Sequence, residues 1–363
     1  LNAILKLKDV AKSYGEQQVL KPMTFEVGEG ERICILGPSG CGKSTLLQLV
    51  AGLTRIDAGE IEINGVAVER GGGLFVPPEN RPINMVFQDY ALWPHMSVRK
   101  NIEYGMKRRK VAKTDMENRL CRLQSLLKLE GLLDRLPAQL SGGQQQRVGI
   151  ARALATEPRL LLMDEPLSNL DVKLRTDMRG ELAGLLGDLS IATLYVTHDR
   201  MEAFTIADRI LVLREGGIDQ IGSPAELFER PATPWVAQLM GYHNRLNVEF
   251  ADAGSPVALA AGAPVRGVRM TPGAYAGAGV MMLHPEAISV SEPSTGDGGN
   301  RLETKAVQAI YEGTRWRLIV ETADGQPIHL FYDKGVEPGT RLTVFLPAPS
   351  AMLYAAPAPA GNG

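Results

Sequence analysis

Cysteine is scarce: Cys34, Cys41 and Cys121 are the only three in 363 residues. An odd number without metal-ligand spacing argues against a disulfide framework and a structural zinc site. Reduced thiols in a cytosolic protein are the expectation. No apolar run approaches the roughly 18 residues of a membrane-crossing helix, and no secretory signal is read. Any membrane association is therefore expected to go through a partner. A surplus of one charge is missing as well, with 39 basic against 41 acidic residues. Cutting the chain after Trp235 leaves 30 basic and 30 acidic residues before the cut and 9 and 11 beyond it. Neither part advertises a nucleic-acid surface. The length exceeds one ordinary core, so two or more domains are expected.

What is present is a complete G-x-x-x-x-G-K-[ST] pattern, Gly37-Pro38-Ser39-Gly40-Cys41-Gly42-Lys43-Ser44-Thr45. A strand-like run, Glu31 to Leu36, precedes it and a helix-like run, Leu46 to Val50, follows. Strand, glycine loop and helix together are the context in which this pattern cradles phosphates. Glycines let successive N–H groups turn inward at an anion, and the helix start adds partial positive charge. Lys43 is placed to reach the β- and γ-phosphates, and the Ser44 hydroxyl to ligate Mg²⁺. A nucleoside triphosphate is the implied ligand. Cys41, inside the loop, is a candidate modifiable thiol that bound nucleotide would shield.

Further motifs follow along the chain. Residues 3–10 alternate as an edge strand does, and Tyr14, before Gly15, reads either as a surface or core tyrosine or as a stacking partner for a flat base. Asn64-Gly65 marks a hairpin turn, and the glycine- and proline-rich stretch 70–82 reads as surface decoration. A strand ends at Gln88 and continues into an apolar, aromatic loop from Asp89. Helices are expected over 98–130. Leu140-Ser141-Gly142-Gly143-Gln144 opens another helix, Arg159–Met163 is a buried strand ending at Asp164-Glu165, Ser168–Asp171 opens a helix, and a strand ends before His198. Alone, Asp164-Glu165 is also a solvated strand end, His198 a plain polar histidine, and Ser141-Gly142-Gly143 a helix cap. Strand carboxyl ends are where open α/β sheets bind ligands, so these motifs converge on one edge. Strand alternation would also send the adjacent Asp164 and Glu165 carboxylates to opposite faces.

Over residues 3–240 this combination resembles the ATP-binding cassette (ABC) transporter subunits, with Leu140–Gln144 matching the signature that sets them apart. The resemblance implies an α/β phosphate-loop NTPase core, residues 1–240, with a helical subdomain over about 89–157. It implies ATP and Mg²⁺ as cofactors. Tyr14 would stack on adenine, and Gly37, Ser39, Gly40, Cys41, Gly42, Lys43, Ser44 and Thr45 would surround the phosphates. Ser44, Gln88 and Asp164 would serve the metal, with Gln88 also at the attacking water. Glu165 would be the general base and His198 the γ-phosphate contact. Ser141, Gly142, Gly143 and Gln144 would serve ATP held by the opposite subunit of a homodimer or heterodimer, and Asp171 would lie at that interface.

From about Gly241 short β-like runs take over, at 279–283, 304–310, 315–320, 328–332 and 341–346. They read as an all-β, barrel-like domain over 241–352 with a disordered tail, 353–363. This part resembles the oligonucleotide-fold-like extension of importer ATPases, although His284 stands where that extension has arginine. Slight acidity and few aromatics argue against oligonucleotide binding, leaving a regulatory role. The resemblance therefore implies the ATPase of an uptake system, peripheral on the cytoplasmic face of the membrane. Its permease would contact residues 89–104, and a periplasmic or extracellular binding protein would act indirectly. Residues 81–95 look closer to the polyamine, ferric-iron and sulfate branch, with a sugar importer as the alternative. A non-transport cassette is disfavoured, since neither a second cassette nor a coiled-coil insertion is present.

Overall fold

The computed structural model describes residues 3–250, 257–270, 275–290 and 299–355. It divides into two compact units, Leu1–Pro224 and Ala225–Gly363.

The first unit runs β1 (Ala3–Tyr14), β2 (Gln17–Gly28), β3 (Arg32–Leu36), α1 (Lys43–Ala51), β4 (Ala58–Ile63), β5 (Val66–Arg70), β6 (Ile83–Val86), α2 (Val98–Arg108), α3 (Lys113–Leu126), α4 (Gly142–Leu154), β7 (Leu160–Asp164), α5 (Val172–Leu189), β8 (Ala192–Thr197), α6 (Arg200–Ile206), β9 (Arg209–Arg214) and β10 (Gly217–Gly222). Its main sheet has the order β10-β9-β3-β8-β7-β6. β3, β6, β7, β8 and β9 are parallel, and only β10 runs against them. Parallel strands in such a sheet are covered on both faces and so read as unbroken apolar runs. Leu160 to Met163 and Ile33 to Leu36 are all fully buried. Because these strands share one direction, the chain leaves all of them along one edge, and the expected convergence of motifs follows from that.

A second, antiparallel sheet has the order β2-β1-β4-β5. β1 is thus interior rather than the edge strand its alternation suggests. Its alternation records one solvated face of an antiparallel sheet, not a free edge. Asn64 and Gly65 take φ of 53° and 74° in the β4–β5 turn, the backbone that Asn-Gly favours there.

The stretch 70–82 is not mere decoration. Arg81 is 1% exposed and pairs with Glu69 at 2.7 Å. Its guanidinium also donates to the carbonyls of Leu49 and Val50 at the end of α1 and to that of Val76. A buried ion pair is tolerable only when its remaining donors are satisfied, and here they close the carboxyl end of the phosphate-loop helix.

The second unit holds two sheets around one core. Asn244–Phe250, Val257–Ala260, Ala263–Arg266, Val268–Arg269, Gly277–Leu283 and Met352–Ala355 form one, and Asn300–Tyr311, Trp316–Thr322, Pro327–Tyr332 and Arg341–Leu346 the other. Leu246, Met281, Leu318, Leu330 and Val344 pack between them. The short helix Pro234–Leu239 belongs with this unit, as does Phe228, whose carbonyl accepts from the Tyr242 hydroxyl at 3.1 Å. Residues 353–355 are the end of a paired strand rather than tail. The remainder of the expected tail, 356–363, lies outside the described residues.

Candidate functional site

Gly37 leaves β3 in close quarters: a Cβ there would lie 2.3 Å from the Leu213 carbonyl oxygen. Gly42 has φ 101°, and its Cβ would meet Leu20 at 2.5 Å. No other residue fits this path. The turn aims Lys43 back into its own loop, where the ammonium donates to the carbonyls of Gly37 and Pro38 at 2.8 and 2.9 Å. Lys43 is 6% exposed, so its charge is held within the curve of the loop. Cys41 is buried and burial raises its thiol above the ordinary value. The fold itself shields that thiol, which corrects the expectation of a modifiable group.

Ser44, next on α1, donates its hydroxyl to Asp164 Oδ1 at 3.0 Å across 120 residues of sequence. Burial raises the Asp164 carboxyl above its ordinary value and the neighbouring Glu165 adds to this. The Ser44 hydrogen bond and the Lys43 charge oppose them. A hydroxyl and a carboxylate, both hard oxygen donors, suit a Mg²⁺ ion whose other ligands are phosphate oxygens and water. Among the described residues no cluster of three or more His, Cys, Asp or Glu forms a self-sufficient metal cage.

Glu165 is not aimed by the strand pleat. β7 ends at Asp164, and Glu165 sits in the left-handed region at φ 44°. Such backbone costs of order 1–3 kcal/mol and persists only where surroundings over-determine it. Here the Glu165 N–H donates to the Val196 carbonyl at 3.0 Å, and its own carbonyl accepts from the Ser168 N–H and hydroxyl. The turn puts Glu165 Oε2 3.2 Å from His198 Nδ1 at the end of β8. Phosphate loop, Asp164, Glu165 and His198 are thereby linked on one sheet edge.

Gln88 is exposed beyond β6, and its carbonyl accepts from the Asn169 side chain at 2.9 Å, joining it to the Ser168–Asp171 loop. The loop that follows is more tightly held than its sequence suggests. Tyr90 is 4% exposed and lies against Gly149 of α4. Tyr90 and Ala91 both have positive φ, 58° and 44°. Arg152 of α4 donates to both of their carbonyls, at 2.7 and 2.6 Å, and lies over the Trp93 ring. Trp93 also contacts the Tyr104 ring, with centroids 4.5 Å apart, and stays partly exposed with Leu92 and Met96.

The other expected site residues stand apart. Tyr14 is 49% exposed at the end of β1, with the Lys12 ammonium 5.2 Å above its ring. Ser141 caps α4, accepting from the Gln144 N–H at 3.4 Å, while the Gln144 side chain accepts from the Ser141 N–H at 2.9 Å. This reciprocal cap fixes the exposed helix start. Among the described residues no hydrogen bond ties Ser141, Gly142 or Gly143 to the phosphate loop of the same chain. Asp171 caps α5 through the Leu174 N–H at 3.0 Å. The bonding roles of Asn169, Arg152 and Arg81 escaped the sequence reading, since their partners lie far along the chain.

Comparison with known proteins gives a consistent picture. Residues 20–168 match the ABC transporter family model and residues 281–353 the TOBE domain. The sn-glycerol-3-phosphate import ATP-binding protein UgpC of Cereibacter sphaeroides is 50% identical over 239 residues, 66% of this chain and 67% of its own length. The UgpC of Brucella abortus biovar 1 is 42% identical over 326 residues, 89% of this chain and 88% of its own length. Among solved structures, the ATP-binding cassette MJ0796, in a dimeric post-hydrolysis state bound to ADP and Pi, superposes with a TM-score of 0.52 at 31% identity, covering 61% of this chain and 98% of that one. CbiO1 from Clostridium perfringens, part of the ABC transporter complex cbiONQ, superposes with a TM-score of 0.57 at 28% identity, covering 63% and 91%.

Proposed function

The chain belongs to the ABC transporter family as the ATP-hydrolysing subunit of an importer, and from that premise we propose that it drives uptake of sn-glycerol 3-phosphate or a closely related polyol phosphate. The observation that carries the substrate is the 42% identity to an sn-glycerol-3-phosphate import protein over 326 residues, both units included. The relatives' names favour the sugar-importer alternative over polyamine, ferric iron or sulfate.

In this reading Lys43 and the loop N–H groups of Gly37 to Thr45 hold the triphosphate, and Tyr14 offers its exposed ring to adenine. Ser44 and Asp164, with Gln88, would hold Mg²⁺, which would supply positive charge against the phosphate oxygens. Glu165 accepts the proton of the attacking water, since it is the carboxylate not committed to Ser44. His198, 3.2 Å from that carboxylate, orients it and reaches the γ-phosphate. Ser141 and Gly142, exposed at a rigidly capped helix start with Gly143 buried behind them, meet the triphosphate of a second cassette, with Asp171 at the same interface.

Membrane attachment goes through a permease docked on residues 89–104. Leu92, Trp93 and Met96 remain partly exposed on a loop whose backbone is pinned to α4 by Arg152. Among the described residues no helix is long and apolar enough to cross a membrane. A photo-crosslinker at position 93 or 96 is expected to capture a cytoplasmic permease loop in the assembled complex. Capture of no permease segment in an active complex would remove this surface from consideration.

The substrate is tested in membrane vesicles carrying the permease, by uptake of labelled sn-glycerol 3-phosphate against maltose, spermidine, ferric iron and sulfate as competitors. Only polyol phosphates should compete. Uptake of sulfate or spermidine instead would overturn the substrate while leaving the ATPase standing. Residues beyond 224 are read as a regulatory unit because every nucleotide motif precedes them. A chain ending at residue 224 should bind ATP normally and change uptake only through its regulation; loss of ATP binding in that folded chain would refute the division.

A further inference from the structure

The turn that carries His198 rests on a buried carboxylate that the reaction described above does not use. Glu202 of α6 is 3% exposed, and its Oε2 accepts from the Thr197 hydroxyl at 2.8 Å and the Tyr195 hydroxyl at 2.9 Å. The Thr197 oxygen in turn accepts from the Asp199 N–H at 2.9 Å. Asp199 Oδ1 then accepts from the Met201 and Glu202 N–H groups at 2.7 and 3.2 Å. The residues on both sides of His198 are therefore held by one closed set of hydrogen bonds with Glu202 at its base. Burying a carboxylate is costly unless it is paired or fully hydrogen-bonded. Burial does raise Glu202 above its ordinary value, and the two hydroxyls and the Arg175 charge draw it back. Arg175 itself donates to the carbonyls of Ser168 and Leu170, beside Asp171. A carboxylate kept at that cost, on a residue bonded to both of those that flank an exposed histidine, has its plainest purpose in fixing that histidine.

We propose that Glu202 is a positioning residue for ATP hydrolysis, holding the Thr197–Asp199 turn so that His198 stands against Glu165. This rests on the reading of His198 given above. A side chain that fixes the geometry of a reacting group alters turnover more than substrate affinity.

The test is steady-state ATP hydrolysis by the full chain in its transporter complex, with Glu202→Leu, Glu202→Gln, His198→Ala and His198→Ala combined with Glu202→Leu. Glu202→Leu should lower kcat by roughly 10–100-fold with KM for ATP within about twofold. Glu202→Gln, whose amide oxygen still accepts from both hydroxyls, should stay within about threefold of the parent. Because the two residues act as a unit, the double variant should be no slower than His198→Ala alone. If Glu202→Leu fails to fold, Thr197→Val removes the same bridge and should lower kcat in the same way. Parent-like turnover in Glu202→Leu or Thr197→Val, with His198→Ala slow, would overturn the positioning role alone. A further tenfold loss in the double variant would assign Glu202 to general stability and overturn it too. Full turnover in His198→Ala would instead overturn the underlying reading of the histidine.

Discussion

Glu165→Gln is expected to lower ATP hydrolysis by roughly 10²–10⁴-fold, the range for loss of a general base, with little change in ATP affinity. The substitution keeps size and hydrogen bonding and removes only the proton acceptor. It spares the groups that hold the triphosphate, because Ser44 pairs with Asp164 and Lys43 with the loop carbonyls, neither touching Glu165. The left-handed backbone at Glu165 is held by bonds from its N–H and to its carbonyl, which an amide side chain leaves intact. Equilibrium binding of a fluorescent ATP analogue alongside phosphate release separates the two effects. Hydrolysis near the parent rate would show that His198 organises the water or that the γ-phosphate itself takes the proton. The catalytic assignment would then fall while the binding site stood.

Lys43→Ala should fail one step earlier, in binding. The ammonium is 6% exposed and held inside the loop, so charge-assisted hydrogen bonds to a phosphate would form there with little competition from water. Each such bond is worth about 1.5–3 kcal/mol, and losing one or two weakens ATP binding by roughly 10–10⁴-fold at about 1.4 kcal/mol per decade. The carbonyls of Gly37 and Pro38 also lose their donor, so a lower melting temperature without nucleotide is expected alongside. Isothermal titration with Mg-ATP reads this directly. Affinity within threefold of the parent would place the triphosphate elsewhere.

The phosphate loop and the convergence of Gln88, Asp164, Glu165 and His198 on one edge were legible because local pattern and sheet geometry agree. Parallel strands must be apolar throughout and must release their chains along one side, so the motifs following them fall together. What was hidden depends on partners that only the fold brings into contact. Arg81, Arg152 and Glu202 look like ordinary charged residues until Leu49, Ala91 and Thr197 are brought against them. The aim of Glu165 was expected from strand alternation and comes instead from a left-handed turn held by β8. In the second unit, Val257–Ala260 and Ala263–Arg266 escaped notice because alanine and proline carry little strand preference. Their place comes from the core they close, with Ala258, Ala260 and Val265 buried in it.

Sedimentation of the full-length Glu165→Gln chain, with and without saturating Mg-ATP, addresses the central claim most directly. Two triphosphates between the phosphate loop of one subunit and Ser141–Gly143 of the other should supply most of the attraction across the interface. The account predicts a monomer without nucleotide and a dimer carrying two ATP with it. A monomer at saturating Mg-ATP, or a dimer equally populated without nucleotide, would contradict it.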